Sequence, residues 1–136
     1  MTTTQNTPSP LGIQGVGIDM VELNRIRSAI ERYGERFSQR IFAPEEIQYC
    51  QSFADPIPHF AARFAAKEAV AKAFGTGIGP FLKWKDIATL NQSTGQPYVS
   101  AGPTLQNLLR QRRIRTILLS LSHSREYAIA VAILIG

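Results

Sequence analysis

Two acids and a lysine stand where chemistry could be done. Asp19 closes an apolar, glycine-spaced run, and Glu68 lies inside an alanine-rich one with Lys72 a helical turn beyond it. A carboxylate moved from water into apolar surroundings is costly unless a cation or hydrogen-bond donors meet it. Two arrangements satisfy that requirement. In the first, Glu68 pairs with Lys72 and Asp19 caps the helix that follows it. In the second, both acids converge on a hard cation. Magnesium typically takes one or two protein carboxylates, with waters and phosphate oxygens completing its shell. Spacing alone favours the first. The neighbourhood of Glu68 weighs for the second, because Arg63, Lys67 and Lys72 share its helix and a glycine-rich loop follows. A metal-binding acid beside a lysine suits phosphoryl chemistry, where charge on phosphate oxygens must be stabilised while a nucleophile is positioned. Lys67 reads equally well as part of a solvated face.

Other features are less specific. Gly12, Gly15 and Gly17 do not form G-x-G-x-x-G, and no P-loop pattern occurs. Gly75, Gly77 and Gly79 follow a helix and so lack the dipole of a helix N-terminus. They either let backbone approach a pyrophosphate or simply end the helix. His123, within Leu121-Ser122-His123-Ser124, could donate to a phosphate or act as a general acid or base. A histidine at a hairpin end is more often structural. Arg25, Arg32 and Arg36 share a helical stripe, with Arg40 a turn further if the helix continues past Gly34. Glu22, Glu31 and Glu35 dilute this charge, which disfavours a groove-reading nucleic-acid helix. The stripe suits a protein partner bearing an acidic helix, with a solvated face as the plain alternative. Arg110, Arg112, Arg113 and Arg115 read as a helix end and loop.

The elements that must position these residues follow from periodicity. Residues 12–21 read as a buried strand ending near Asp19. Ile26, Ile30, Tyr33 and Phe37 mark a helical face that Gly34 interrupts or loosens. Ala43-Pro44-Glu45-Glu46 starts another helix, with proline in its first turn and acids at its positive end. Asp55, Pro56 and Pro58 then read as a loop. Residues 59–74 form the clearest helix, and Gly75 stops it. Residues 84–90 and 98–99 read as strands joined through a turn at Thr94-Gly95-Gln96-Pro97. A modest helical pattern spans residues 104–112, and two β-rich runs, 116–121 and 127–135, flank a hairpin connection at 122–126. This order implies an α+β fold: a single domain of mostly antiparallel sheet with a long packed helix.

Composition sets the bounds. The chain has 136 residues, 44% of them hydrophobic, and a net charge of +5. That length suits one domain, expected over residues 12–136, with residues 1–11 as a flexible polar tail. Disorder is excluded by the apolar fraction. Cys50 is the only cysteine, so no internal disulfide forms. Residues 1–10 hold neither Lys nor Arg and no apolar core, against a secretory signal. The longest apolar run, residues 127–135, falls short of the roughly 20 residues of a membrane span. A soluble cytoplasmic protein with an anionic partner is the expectation.

Three blocks taken together resemble the holo-acyl-carrier-protein synthases, the small 4′-phosphopantetheinyl transferases. They are Gly15-Val16-Gly17-Ile18-Asp19 running into Glu22-Leu23-Asn24-Arg25-Ile26, then Arg63-Phe64-Ala65-Ala66-Lys67-Glu68-Ala69 continuing through Lys72 to Ile78, and Gly95-Gln96-Pro97-Tyr98. Ser120-Leu121-Ser122-His123-Ser124 is a weaker fourth. The resemblance runs from Gly15 to about Ile133 and implies the fold of that family. It also implies transfer of 4′-phosphopantetheine from coenzyme A to a serine of apo acyl carrier protein, with release of 3′,5′-ADP, as in fatty acid biosynthesis. On this analogy Asp19 and Glu68 hold magnesium against the pyrophosphate. Lys72 neutralises phosphate charge and helps protonate the leaving group. Arg63, Gly75, Thr76, Gly77, Pro97, Ser122 and His123 line the nucleotide site. Arg25, Arg36 and Arg40 meet the acidic helix of the carrier. The family implies a homotrimer with active sites between subunits, and neither nucleic acid nor membrane as partner. The acceptor serine needs a base, which Glu68, a metal-bound water or another carboxylate could supply. Ala43 departs from the family's usual hydroxyl residue at a helix cap.

Overall fold

A computed structural model describes residues 12–136, and the expected tail lies outside the described residues. Strand β1 (Ile13–Glu22) leads into helices α1 (Leu23–Tyr33), α2 (Glu35–Ile41), α3 (Pro44–Gln51) and α4 (Ile57–Phe74). Strands β2 (Ile87–Asn91) and β3 (Pro97–Ala101), helix α5 (Pro103–Gln111) and strands β4 (Thr116–His123) and β5 (Tyr127–Ile135) complete the chain. One antiparallel sheet has the order β1-β5-β4, and β2 pairs with β3 in a second. The α+β architecture with a long packed helix is the one the sequence predicts.

Packing explains the alanines of α4. Its residues from Phe60 to Lys67 are all buried, and the sheet face it covers carries Ala128, Ala130 and Ala132. Small side chains on both surfaces bring helix axis and sheet close together. Gly15 and Gly17 carry this further. A Cβ on Gly17 would stand 1.9 Å from the Ala69 carbonyl oxygen, and one on Gly15 would stand 2.4 Å from that of Ala73. No side chain fits there.

Several boundaries differ from expectation for local reasons. Strand β1 runs on to Glu22 because β5 pairs with it throughout, up to Glu22 opposite Tyr127. The first helix breaks at Gly34, whose φ of 58° and ψ of −136° are not helical. Arg25 and Arg32 therefore lie on α1 and Arg36 and Arg40 on α2, so no continuous stripe exists. Helix α4 begins at Ile57 with Pro58 in its first turn, where the missing N–H has no intrahelical acceptor to lose. Trp84–Asp86 is a 3-10 turn, and the strand starts only at Ile87. Strand β4 extends to His123, leaving a tighter hairpin.

Lys67 is fully buried, which excludes a solvated face. It and Glu46 are both 0% exposed and paired at 2.8 Å. Lys67 also donates to the carbonyls of Trp84, at 3.0 Å, and Ile87. Glu46 accepts the backbone N–H groups of Ala43 and Thr89, each at 2.9 Å. Glu46 thereby closes the start of α3 from within, where Ala43 has no side-chain acceptor to offer. Burial pulls the Lys67 ammonium below its ordinary range despite the carboxylate. Among the described residues no helix is long and apolar enough to cross a membrane.

Candidate active site

Asp19 faces α4 because strand residues alternate: its neighbours Ile18 and Met20 are exposed on the opposite face. The close approach allowed by Gly15 and Gly17 sets Asp19 against the last turns of α4. There the Lys72 ammonium donates to Asp19 Oδ1 at 2.9 Å and to the Ile18 carbonyl at 3.2 Å. This hydrogen bond to Asp19 holds the Lys72 ammonium above its ordinary range. Both simple pairings expected from spacing are thus overturned. Lys72 reaches across to β1 instead of back to Glu68, and Asp19 caps nothing, since α1 starts at Leu23 with Glu22 as its N-cap residue and no side-chain cap.

Glu68 is half-buried, and among the described residues no donor bonds its carboxylate. Burial and then the Asp19 carboxylate raise its proton affinity, opposed by Lys72 and Arg25. Two converging carboxylates with one lacking any donor form an oxygen-rich, electron-rich cleft. No cluster of three or more His, Cys, Asp or Glu that could hold a metal occurs among the described residues. That donor set suits magnesium, which keeps much of its shell for water and phosphate oxygens, and does not suit a fully caged ion.

The glycine loop begins where α4 ends. Gly75 takes φ 79°, a left-handed cap, and the N–H groups of Thr76 and Gly77 both turn back to the Ala71 carbonyl. The Thr76 hydroxyl donates to the Gly77 carbonyl at 3.0 Å.

Arg63 is 3% exposed and, among the described residues, has no carboxylate partner. Its guanidinium lies 4.2 Å from the Tyr49 ring centre and donates to Asn91 Oδ1, while its Nε–H is buried without an acceptor among the described residues. Pro97 stands opposite Asn91 in the β2–β3 register, so the structure brings Pro97 to this guanidinium through Asn91. His123 ends β4 on the sheet face that α4 covers, its ring 5.5 Å from that of His59. It also lines a cavity of about 490 Å³ with Arg27, Asp55, Ser124 and Arg125. Ser122, one residue earlier, points to the other sheet face, away from His123.

Of the three arginines expected to meet a partner, Arg25 lies 5.6 Å from the Phe64 ring centre, and Phe64 stacks on Trp84 at 4.9 Å. Arg40 lines a cavity of about 620 Å³ with Ile78, Gly79, Lys83, Trp84 and Lys85. Arg36 is exposed on α2. Sequence reasoning gave Glu46 only a place at the start of its helix and passed over Asn91 and His59. Lys67, Arg63 and His123, which meet them, lie far along the chain, and no local spacing marks those pairs.

The model of the 4′-phosphopantetheinyl transferase superfamily matches residues 15–132. Holo-[acyl-carrier-protein] synthase of Chlamydia muridarum is 53% identical over 119 residues, 88% of this chain and 92% of the relative. That of Protochlamydia amoebophila is 44% identical over 119 residues, 88% of this chain and 95% of the relative. The crystal structure of the Neisseria meningitidis synthase superposes with a TM-score of 0.85 at 34% identity, covering 92% of this chain and all of that one. The Helicobacter pylori synthase in complex with coenzyme A gives a TM-score of 0.79 at 31% identity, covering 88% of this chain and 98% of that one. A β1–α4 contact that gathers two carboxylates and a lysine thus sits in a fold and a sequence shared along nearly the whole described chain, and the chain belongs to the holo-[acyl-carrier-protein] synthase family of the 4′-phosphopantetheinyl transferases.

Proposed function

We propose that this chain transfers 4′-phosphopantetheine from coenzyme A to a serine hydroxyl of an apo acyl carrier protein, in the cytoplasm, with magnesium and with 3′,5′-ADP as the leaving product. The convergence of Asp19, Glu68 and Lys72 where β1 meets α4 carries the reading. In the reaction the serine Oγ forms a bond to the phosphorus bearing pantetheine. The pyrophosphate P–O bond breaks, and its electron pair leaves on 3′,5′-ADP. Asp19 and Glu68 would hold the magnesium, which supplies positive charge to the pyrophosphate oxygens when bound. Lys72, more than half exposed yet anchored on Asp19, adds a second cation and a proton donor for the departing phosphate. Glu68 has the raised proton affinity and free lone pairs that suit it to take the serine proton.

Arg63, His123, Gly75-Thr76-Gly77 and Pro97 are assigned to the nucleotide, a polyvalent anion that answers the Arg63 Nε–H left without an acceptor among the described residues. Arg25, Arg36 and Arg40 are assigned to the carrier's acidic helix. The Helicobacter pylori and Bacillus anthracis synthases, solved with coenzyme A or its 3′,5′-ADP portion, support the substrate choice. The chain is further read as a homotrimer, since Val16, Ile18, Met20 and Leu118 form an exposed apolar patch on one sheet face. Ser122 points to that face, so its place in the nucleotide site depends on assembly.

Mixing the protein with coenzyme A, magnesium and an apo acyl carrier protein should raise the carrier's intact mass by one phosphopantetheine. A chelator, or the Asp19→Asn substitution, should abolish the gain. Undiminished transfer by Asp19→Asn would remove the metal assignment, and no transfer by the unaltered chain would remove the reaction.

A further inference from the structure

His59 belongs to none of the assignments above, yet its ring is unusually constrained. It stacks on Phe53 at 3.5 Å and 15°, and the Tyr49 ring meets it edge-on at 6.1 Å. Those two contacts fix the plane of the imidazole, and the His123 ring meets it at 5.5 Å and 73°. The groups facing His59 are Tyr49 from α3, Phe53 and Asp55 from the segment after it, Arg63 from α4 and His123 from β4. Asp55 is the only acid among them. It is already engaged by Arg27 and by the Ile57 N–H, both at 3.1 Å. The cluster therefore joins two imidazoles to a buried guanidinium whose Nε–H has no acceptor among the described residues, which also offer no free carboxylate to balance them. Such a cluster is short of negative charge, and a phosphate is its chemical complement.

We infer that His59 is a positioning residue of the nucleotide site, holding the His123 ring at the cavity edge and taking up a proton when the nucleotide's phosphates bind there. This rests on the reading of that site as a coenzyme A site. In the free protein, burial, His123 and Arg63 keep the His59 imidazole below its ordinary range. An arriving phosphate opposes the repulsion from both neighbours, so the protonated form becomes favoured and binding draws in a proton. The sign follows: nucleotide affinity rises as pH falls from about 7.5 toward about 6, where free imidazoles begin to charge.

The test is calorimetric titration of the full chain with 3′,5′-ADP in two buffers of different ionisation enthalpy, repeated with His59→Phe. Phenylalanine keeps the stack on Phe53 and removes the proton site. The unaltered chain should take up more protons per nucleotide than the variant. Its affinity advantage should be roughly threefold to tenfold at pH 6.5 and shrink by pH 8. Equal proton uptake and parallel pH profiles would overturn the role of His59 while leaving the nucleotide site intact. A wild-type chain that binds no 3′,5′-ADP would overturn the functional reading itself and this inference with it. Should His59→Phe lower the melting temperature, His59→Gln is compared on the same measurement, and the same outcomes decide.

Discussion

Glu68 and Lys67 are adjacent on one helix and meet opposite environments. Lys67 turns into the protein, where Glu46 and two carbonyls satisfy all three of its protons. Glu68 turns to the cleft, where burial and Asp19 disfavour its charge more than Lys72 and Arg25 favour it. Its proton affinity in the folded state is thus above the ordinary value of 4.5. The folded protein then holds more protons than the unfolded one above that value, so ionised Glu68 destabilises the fold as pH rises through its folded-state pKa. Glu68→Gln should therefore raise the melting temperature of the metal-free protein at pH 7–8, and the gain should vanish as pH falls toward 4.5. Magnesium should stabilise the unaltered chain more than the variant, and transfer should be lost. A scan of melting temperature against pH, with and without magnesium, checks all three.

At the scale of elements, the site depends on how closely β1 lies on α4. Gly17→Ala places a methyl 1.9 Å from the Ala69 carbonyl oxygen, so strand and helix must separate. Backbone cannot yield as a flexible side chain does. The expected cost is about 1–3 kcal/mol or more by denaturant unfolding. Transfer should fall further than stability, because Asp19 lies two residues beyond and its 2.9 Å contact with Lys72 would open. Activity unchanged in a folded variant would show that the spacing is not needed. The glycine spacing is visible in the sequence as a strand of small residues, and the alanine run as a helix of high propensity. Their mutual contact is not visible there, because nothing local says which face of which element the glycines serve. The break at Gly34 shows the same limit. Periodicity carries Ile26, Ile30, Tyr33 and Phe37 through one pattern, whereas a single backbone angle divides it.

At the scale of the molecule, the outer sheet face calls for a partner surface. Val16, Ile18, Met20 and Leu118 are 58%, 55%, 60% and 52% exposed, and they lie beside Ile129, Val131 and Ile133 on the same face. A contiguous apolar surface of this kind is uncommon on a lone soluble domain. Ile18→Glu should convert the proposed trimer to single chains in sedimentation, with transfer reduced because sites between subunits are dismantled. A variant that keeps the assembly of the unaltered chain would refute this face as the interface. By itself the sequence determined the residue types able to do the chemistry, the α+β order of elements and the family, because motifs and periodicity are local properties. Tertiary structure alone decided the pairing. Lys72 reaches Asp19, Lys67 is enclosed with Glu46, and Arg63 is met by Asn91 and His123 by His59. Each of these joins residues remote in the chain, and only the packing of α4 against the sheet and α3 brings them into contact.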